Sequence, residues 1–258
     1  MAIDEAVFRI CQRRAMSPTL RFYGWSVPTV SLGYFQKVHE EINLQSCRDM
    51  GIDVIRRPTG GKAVLHEKDL TYSVVAQTGK PFFPGGLLET YRIISSCIAK
   101  GLAQLGIEAC MSEGGQCATQ APLEACCFST PSQYELLVKG KKICGSAQVR
   151  SKGAFLQHGS LQVDFDPYRT FTAIGKPLDA VDRNADRLRR RATSVNESGD
   201  RHCDYDVLCS VLAEGFEEHL GIHLVRGALT VEETTLMQTL VKYKYSDSEW
   251  NMEGKTSR

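Results

Sequence analysis

No apolar run in this 258-residue chain approaches the ~20 residues that a membrane-spanning helix requires. The opening MAIDEAVFRICQRRAMSP carries acidic groups early and no continuous apolar core, so it does not read as a signal peptide. Ten cysteines are too sparse for a disulfide scaffold in a chain of this length. No two of them are spaced C-x-x-C, which withdraws support from zinc and thioredoxin-type readings. No H-E-x-x-H occurs; His219 and His223 are four apart, but Gly221 between them argues against one helix, so no metal site is expected. Charge of neither sign dominates, and a formal net charge of +1 gives no global reason to expect nucleic acid. Internal repeats, low-complexity tracts and linkers are absent too. These absences describe a reduced, cytoplasmic protein without membrane or nucleic-acid partners, in which most cysteines are small core residues.

What is present suits a globular enzyme-sized domain. Hydrophobic residues at 42% and charged residues at 24% can build one sizeable core, so residues 1–258 are read as a single domain. Ile3, Ala6, Val7, Ile10 and Cys11 form a helical stripe that Ser17-Pro18 ends. Residues 19–25 alternate as a strand, with Leu20 and Phe22 on one face and Arg21 and Tyr23 on the other; 29–33 is another. Residues 40–50 and 87–105 read as helices, the second with Leu88, Tyr91, Ile94, Cys97 or Ile98, and Leu102 on one face. Residues 134–138, 142–149 and 154–165 continue as strands with turns at Lys139-Gly140 and Lys152-Gly153. A short helix is predicted over 167–174, a helix from the Asp204 cap to Leu220, a short strand over 223–225 and a last helix from a Thr230–Glu233 capping box. The stretches 113–125 and 176–200 show no clear period. Strands in runs with irregular helices predict an α+β fold rather than a regular βαβ array.

The most informative stretch is VIRRPTGGKAVLHEKDLTYSVV, residues 54–75. It reads as a strand, a turn at Gly60-Gly61 and two further short strands, of which 70–75 alternates apolar and polar residues. Adjacent glycines admit left-handed dihedrals and let a ligand lie close to the backbone. Arg56 and Arg57 precede the turn, Lys62 follows it and His66 comes one strand later. Cations and bare amides converging on a turn suit an anionic or strongly polar ligand. The bland alternative is a basic hairpin.

RRPTGGKAVLH with LTYSVV resembles the signature of the lipoate ligase and octanoyltransferase family. The resemblance extends to LRFYGWSVPTVSLGYFQ before it, and to CFSTPSQYELLVKGKKICGSAQVRSKGAFLQHGSL and KYSDSEWN after it. It is nearer to the cysteine-dependent octanoyltransferases than to the ATP-using lipoate ligases. In such ligases a third glycine usually follows the pair, where this sequence has Lys62. The resemblance implies the biotin/lipoate ligase catalytic fold, a mixed sheet flanked by helices, with a core over 14–225 and a C-terminal helix and tail over 226–258. Family members usually have a strand before the first helix, so it also implies either a start assigned downstream or an absent edge strand.

The chemistry follows from the same match. It assigns Cys127 as the nucleophile that carries the acyl group as a thioester, and Lys142 as the cation that lowers the thiol's pKa. A thiolate both attacks and leaves well, and a nearby cation ionises it near neutrality. Cys126 is the rival without the match; as neighbours on an extended segment, the two point to opposite sides. Lys142 could instead be a surface lysine beside Lys139 and Lys141. His66 and His158 lie in matched blocks and could hold the acyl carbonyl or orient a carrier's arm. Gly145 and Ser146, followed by Ala147, leave room for a slender chain and offer amides to its carbonyl. Arg56, Arg57, Gly60 and Gly61 complete the predicted substrate-binding set.

The implied reaction moves octanoyl from octanoyl–acyl carrier protein to the lysine of glycine-cleavage H protein or a lipoyl domain, without cofactor. The alternatives are an ATP-dependent lipoate ligase, an octanoyl amidotransferase between lipoyl domains, and a non-enzymatic carrier-docking protein. Arg183, Arg187, Arg189, Arg190 and Arg191 are read either as a dock for an acidic carrier or as a solvated loop.

Overall fold

Helix α1 (Ala2–Cys11) leads into strands β1 (Thr19–Tyr23) and β2 (Thr29–Leu32). Helices α2 (Val38–Glu41) and α3 (Leu44–Asp49) connect to β3 (Asp53–Arg56), β4 (Val64–His66) and β5 (Asp69–Gln77). Then come α4 (Leu87–Ala103), β6 (Cys110–Met111), β7 (Leu136–Val138), β8 (Lys141–Ser151) and β9 (Ala154–Gln162). The chain continues through α5 (Pro167–Ile174), α6 (Val181–Arg189), α7 (Val195–Ser198) and α8 (Tyr205–Leu220). It closes with α9 (Val231–Leu240), a π turn (Val241–Tyr245) and α10 (Ser248–Glu253). This computed structural model describes residues 1–112, 134–175 and 181–255. Cys126, Cys127 and the weakly patterned stretch 113–125 lie outside the described residues.

The strands form two sheets. One has six strands in the order β1-β5-β9-β8-β7-β6, each neighbouring pair antiparallel. The other, β3-β2-β4, is mixed: β2 runs parallel to β3 and antiparallel to β4. This is the α+β arrangement with helix-flanked sheets that the pattern and the resemblance predict. Residues 53–66 are therefore no hairpin, because β3 and β4 take opposite edges of β2. Among the described residues, no helix is long and apolar enough to cross a membrane.

Alternation along β5 and β9 divides the large sheet into two unlike faces. Leu70, Tyr72, Val74, Ala76, Phe155 and Leu161 pack against Ile94, Ile98 and Leu102 of α4 and Leu208, Leu212 and Phe216 of α8. At the end of the opposite face, Val75 and Leu156 meet Val7, Phe8 and Cys11 of α1. Next to them that face turns polar while staying buried: Asp69, Thr71 and Ser73 on β5, and His158, Ser160 and Gln162 on β9.

Several local expectations need correction. The helix expected over 40–50 breaks at Ile42, which is extended, and Asn43 restarts it as a cap accepting from the Ser46 amide at 3.3 Å. The unpatterned stretch 176–200 contains α6 and α7; only Asn184, Ala185 and Leu188 of α6 are buried, too few to stand out as a period. Residues 223–225 form no strand, and Val225 is 89% exposed. Leu88 is exposed at the start of α4, outside the expected buried stripe. The Thr230–Glu233 capping box is present, but α9 is not the last helix. Leu240, Tyr245 and Trp250 are buried with Ala6 of α1, and the Lys244 ammonium sits 2.8 Å from Glu5.

Candidate functional site

Buried polar side chains are costly unless they are hydrogen-bonded, and most of the polar face of the large sheet is satisfied in a connected network, with Asp69 Oδ1 and His158 Nδ1 left without a partner among the described residues. Asp69 Oδ2 accepts from Ser160 at 2.7 Å and Thr71 at 3.0 Å, and meets His66 Nδ1 at 2.7 Å. The other ring nitrogen of His66, Nε2, is 2.8 Å from Ser31 Oγ on β2. Trp25 stacks on the His66 ring with centroids 4.3 Å apart and donates its Nε1–H to Thr71. At the far end, Asp4 of α1 accepts from Ser73, Arg21 and Tyr23. Two sheets, joined by β4 and β5 in sequence, thus close on one polar interior.

Within it lies a cavity of about 30 Å³, lined by Ser31, Arg57, His66, Ser146, His158 and Ser160 among others, with Gly145 and Met1 also on its wall. That volume is the room of a water molecule. It accommodates a carbonyl or an amine head, not a whole acyl chain.

Arg57 shapes the rim. Its guanidinium donates to Gly60 O at 2.9 Å, Lys62 O at 2.7 Å, Ser31 O at 2.9 Å and Ser31 Oγ at 3.1 Å, so it folds the glycine turn and faces the cavity at once. Gly61 has φ +86°, and a Cβ placed on Gly33 would lie 1.9 Å from Gly61 O. The turn therefore needs glycine at 61 and again at 33, where β2 ends. Gly60 has no such requirement.

Arg56 has a different occupation from the predicted one. It is 1% exposed and donates to the carbonyls of Gly33, Tyr34, Gln36, Trp250 and Met252 at 2.8–3.1 Å. A guanidinium engaged by five backbone carbonyls is a staple between the 33–36 loop and α10. It is not a cation presented to a ligand.

Gly145 and Ser146 stand on β8 beyond the point where β7 stops, so among the described residues only β9 pairs with them. Ser146 Oγ bonds the Tyr72 hydroxyl at 2.7 Å, and Gln157 donates to that hydroxyl at 3.0 Å. Burial pushes the Tyr72 phenol well above its usual value, so it stays protonated.

His158 is 4% exposed. Its Nε2 is 2.6 Å from Thr59 Oγ1, while Nδ1 has no partner among the described residues. Burial, reinforced by the Arg57 charge, pushes its pKa down to about 3, so the ring is neutral at physiological pH. An unfolded histidine titrates near ~6.5, so the unfolded chain binds the extra proton first. Stability is complete above that pH and falls as pH drops toward 3, by up to about 1.4 kcal/mol per pH unit. Urea unfolding between pH 3 and 6.5 is expected to show a shallower pH slope in His158→Gln than in the parent. Equal slopes would mean that the buried ring protonates as readily as a free one.

Lys142 is 1% exposed, with Nζ 2.7 Å from Glu135. Lys141 instead turns outward to Glu197 at 2.9 Å, so the surface alternative holds for one lysine of the pair and not the other. Lys142 does not line the cavity; it lies three residues before Gly145, on the order of 10 Å along the strand. Its amide donates to Arg191 O at 2.7 Å, which sets the end of α6 beside it. Arg183, Arg189 and Arg190 are exposed there, with Arg187 and Arg191 half-buried. Among the described residues, no cluster of three or more His, Cys, Asp or Glu is placed to hold a metal ion.

The structure thus gathers Arg57, His66, Gly145, Ser146 and His158 around one cavity and removes Arg56 from it. Ser31, Thr59, Asp69 and Glu135 are additions. The signal for Asp69 was in the alternation already noted over 70–75, extended one residue back: a strand buried on both faces that keeps Asp, Thr and Ser on one of them.

A mixed and an antiparallel sheet closing on a buried polar cavity define a catalytic domain of the ligase-like α+β class. The chain belongs to the lipoyl protein ligase A/B catalytic domain family, whose model matches residues 1–217. It is 43% identical to octanoyltransferase LipM of Kyrpidia tusciae over 258 residues, 97% of this chain and 93% of that protein. It is 41% identical to octanoyltransferase LipM of Geobacillus kaustophilus over 256 residues, 97% of this chain and 92% of that protein. Among solved structures, the bi-partite lipoate protein ligase of Thermoplasma acidophilum, described with its E2 lipoyl domain, matches with TM-score 0.84 and 29% identity. That match covers 100% of this chain and 92% of the other. The family and the octanoyltransferase likeness are those that the sequence blocks predict.

Proposed function

We propose that the protein is an acyltransferase that moves octanoyl from octanoyl–acyl carrier protein to the lysine of glycine-cleavage H protein or another lipoyl domain, through a thioester on Cys127. The observation that carries this reading is the likeness to octanoyltransferases at 41% and 43% identity over 97% of the chain. The described site is compatible with it. A neutral His158 and the Ser146 region offer polar groups to an acyl carbonyl, and the exposed arginines of α6, beside Lys142, suit an acidic carrier. A lipoyl domain as acceptor accords with the ligase neighbour described with its own. Residues 1–258 are read as one catalytic unit, a reading supported by the seating of the C-terminal helices on α1 and Arg56.

Energetically the reaction needs no nucleotide. Exchange of one thioester for another is near neutral, and thioester to amide runs downhill. The test is to mix the protein with octanoyl–acyl carrier protein in the absence of ATP and weigh it intact. One octanoyl increment is expected, lost again on adding a lipoyl acceptor that gains it. Labelling of an acceptor only with free octanoate and ATP would replace this reading with the ligase. Binding without any acyl transfer would replace it with a docking protein.

A further inference from the structure

Amide formation from a thioester requires that the attacking lysine lose a proton. An ammonium has no lone pair to attack with, so the lysine attacks as the neutral amine after solvent has taken its first proton, and something near the acyl carbon must accept a second proton as the carbon–nitrogen bond forms. The described cavity contains one arrangement built for the task. Asp69 Oδ2 lies 2.7 Å from His66 Nδ1, and His66 Nε2 lies 2.8 Å from Ser31 Oγ. A carboxylate accepting Nδ1–H fixes the tautomer and leaves Nε2 as the acceptor, so Ser31 donates its hydroxyl proton to it. Ser160 and Thr71 hold the same carboxylate oxygen, and Trp25 stacks on the ring, so the imidazole has little freedom to turn. Arg57 donates to Ser31 Oγ at 3.1 Å. That leaves one lone pair of the hydroxyl for an incoming N–H, and sets a positive charge where an ammonium is disfavoured and a neutral amine is not.

We infer that Ser31, His66 and Asp69 form the proton relay of the transfer step, a role that rests on the octanoyltransferase reading above. Ser31 and His66 both line the cavity, opposite His158 and Ser160 of the large sheet. As the lysine nitrogen forms its bond to the acyl carbon, its proton passes to Ser31 Oγ while the Ser31 proton passes to His66 Nε2. The carbon–sulfur bond then breaks, the electron pair leaves with the sulfur, and the imidazolium returns the proton to the thiolate or to water. Atoms balance as thioester plus amine giving amide plus thiol. Asp69 acts through His66 as a positioning residue and stabilises the transient imidazolium. Transfer of acyl from the donor thioester to a thiolate releases no such proton, so the relay belongs to the second half-reaction alone.

That asymmetry is the test. Full-length wild-type protein, His66→Gln, Ser31→Ala and Asp69→Asn are loaded from octanoyl–acyl carrier protein, and loading is timed by intact mass. Each loaded protein is then offered a lipoyl-domain acceptor or, separately, hydroxylamine, a weakly basic amine whose N–H, once the nitrogen has bonded to the acyl carbon, is acidic enough to pass to water without a relay. Loading is expected to change by no more than a few-fold, while transfer to the lysine falls roughly 100-fold in His66→Gln. Smaller losses are expected in Ser31→Ala and Asp69→Asn, and hydroxylamine is expected to discharge all four at similar rates. Equal slowing toward lysine and hydroxylamine, or loading that falls in step with transfer, would reduce these residues to scaffolding and overturn the relay. A wild-type protein that does not load from the thioester would instead overturn the octanoyltransferase reading itself.

Discussion

Arg56→Ala is expected to lower stability by about 3–5 kcal/mol, because five carbonyls lose a charge-assisted donor and each one left buried and unsatisfied costs ~1–3 kcal/mol, partly recovered by relaxation. The guanidinium spans two parts of the chain more than 200 residues apart in sequence: it holds Gly33 O, Tyr34 O and Gln36 O on one side, and Trp250 O and Met252 O on the other. Truncation deletes all of these donors and leaves buried carbonyls without them, which is costlier than never having made the bonds. Two contacts survive, because they use the Arg56 backbone: Trp250 Nε1 to its carbonyl at 3.0 Å and its amide to Asn251 Oδ1 at 3.1 Å. Arg56→Lys is expected to rescue little, since three donors on one nitrogen cannot cover carbonyls spread around a planar fork. For a chain of this size the loss corresponds to a fall in Tm of roughly 10 °C. A thermal scan in which Arg56→Ala melts within ~2 °C of the parent would show the staple to be dispensable.

Arg56 also illustrates what the sequence could and could not convey. Two arginines before a glycine pair look alike as text, and both suggest a ligand. Only tertiary structure separates them: Arg56 meets a segment 194 to 196 residues away, while Arg57 turns to Ser31 and the glycine turn. Most strands, the α8 caps and the capping box of α9 were legible because each is encoded within a few residues, whereas the two-residue β6 was not and the strand expected over 223–225 is absent. So was the short helix Pro167–Ile174, with Asp166 capping it and proline at its first turn. Helix α6 was not legible, because its helical face offers Asn184 and Ala185 as well as Leu188 to the interior. Lys142 was singled out only through resemblance. Its burial depends on Glu135, a partner across the β7–β8 hairpin that local pattern does not single out. The relay around Asp69 needed β2, β4, β5 and β9 to be assembled before three ordinary polar residues became a network.

Cys127→Ser is expected to abolish the octanoyl adduct and cut turnover roughly 10³-fold or more, as loss of a nucleophile commonly does, whereas Cys126→Ser should retain both. The companion prediction concerns the cation assigned to that thiol. Lys142→Met alone removes the ammonium and also takes from the buried Glu135 carboxylate its cation, 2.7 Å away in the parent. Breaking such a pair from one side costs about 3–5 kcal/mol, so a loss of activity in the single variant would not distinguish chemistry from folding. Lys142→Met with Glu135→Gln removes both charges and is expected to recover most of the stability. If the ammonium holds the thiolate, this doubly substituted protein should fold yet load octanoyl slowly. The pH at which Cys127 becomes half-reactive toward iodoacetamide, followed on its own peptide by mass, should rise toward the ~8.5 of an unperturbed thiol. A folded double variant with an unchanged pH–reactivity curve would take Lys142 out of thiol activation and leave it, with Glu135, as part of the interior packing around β8.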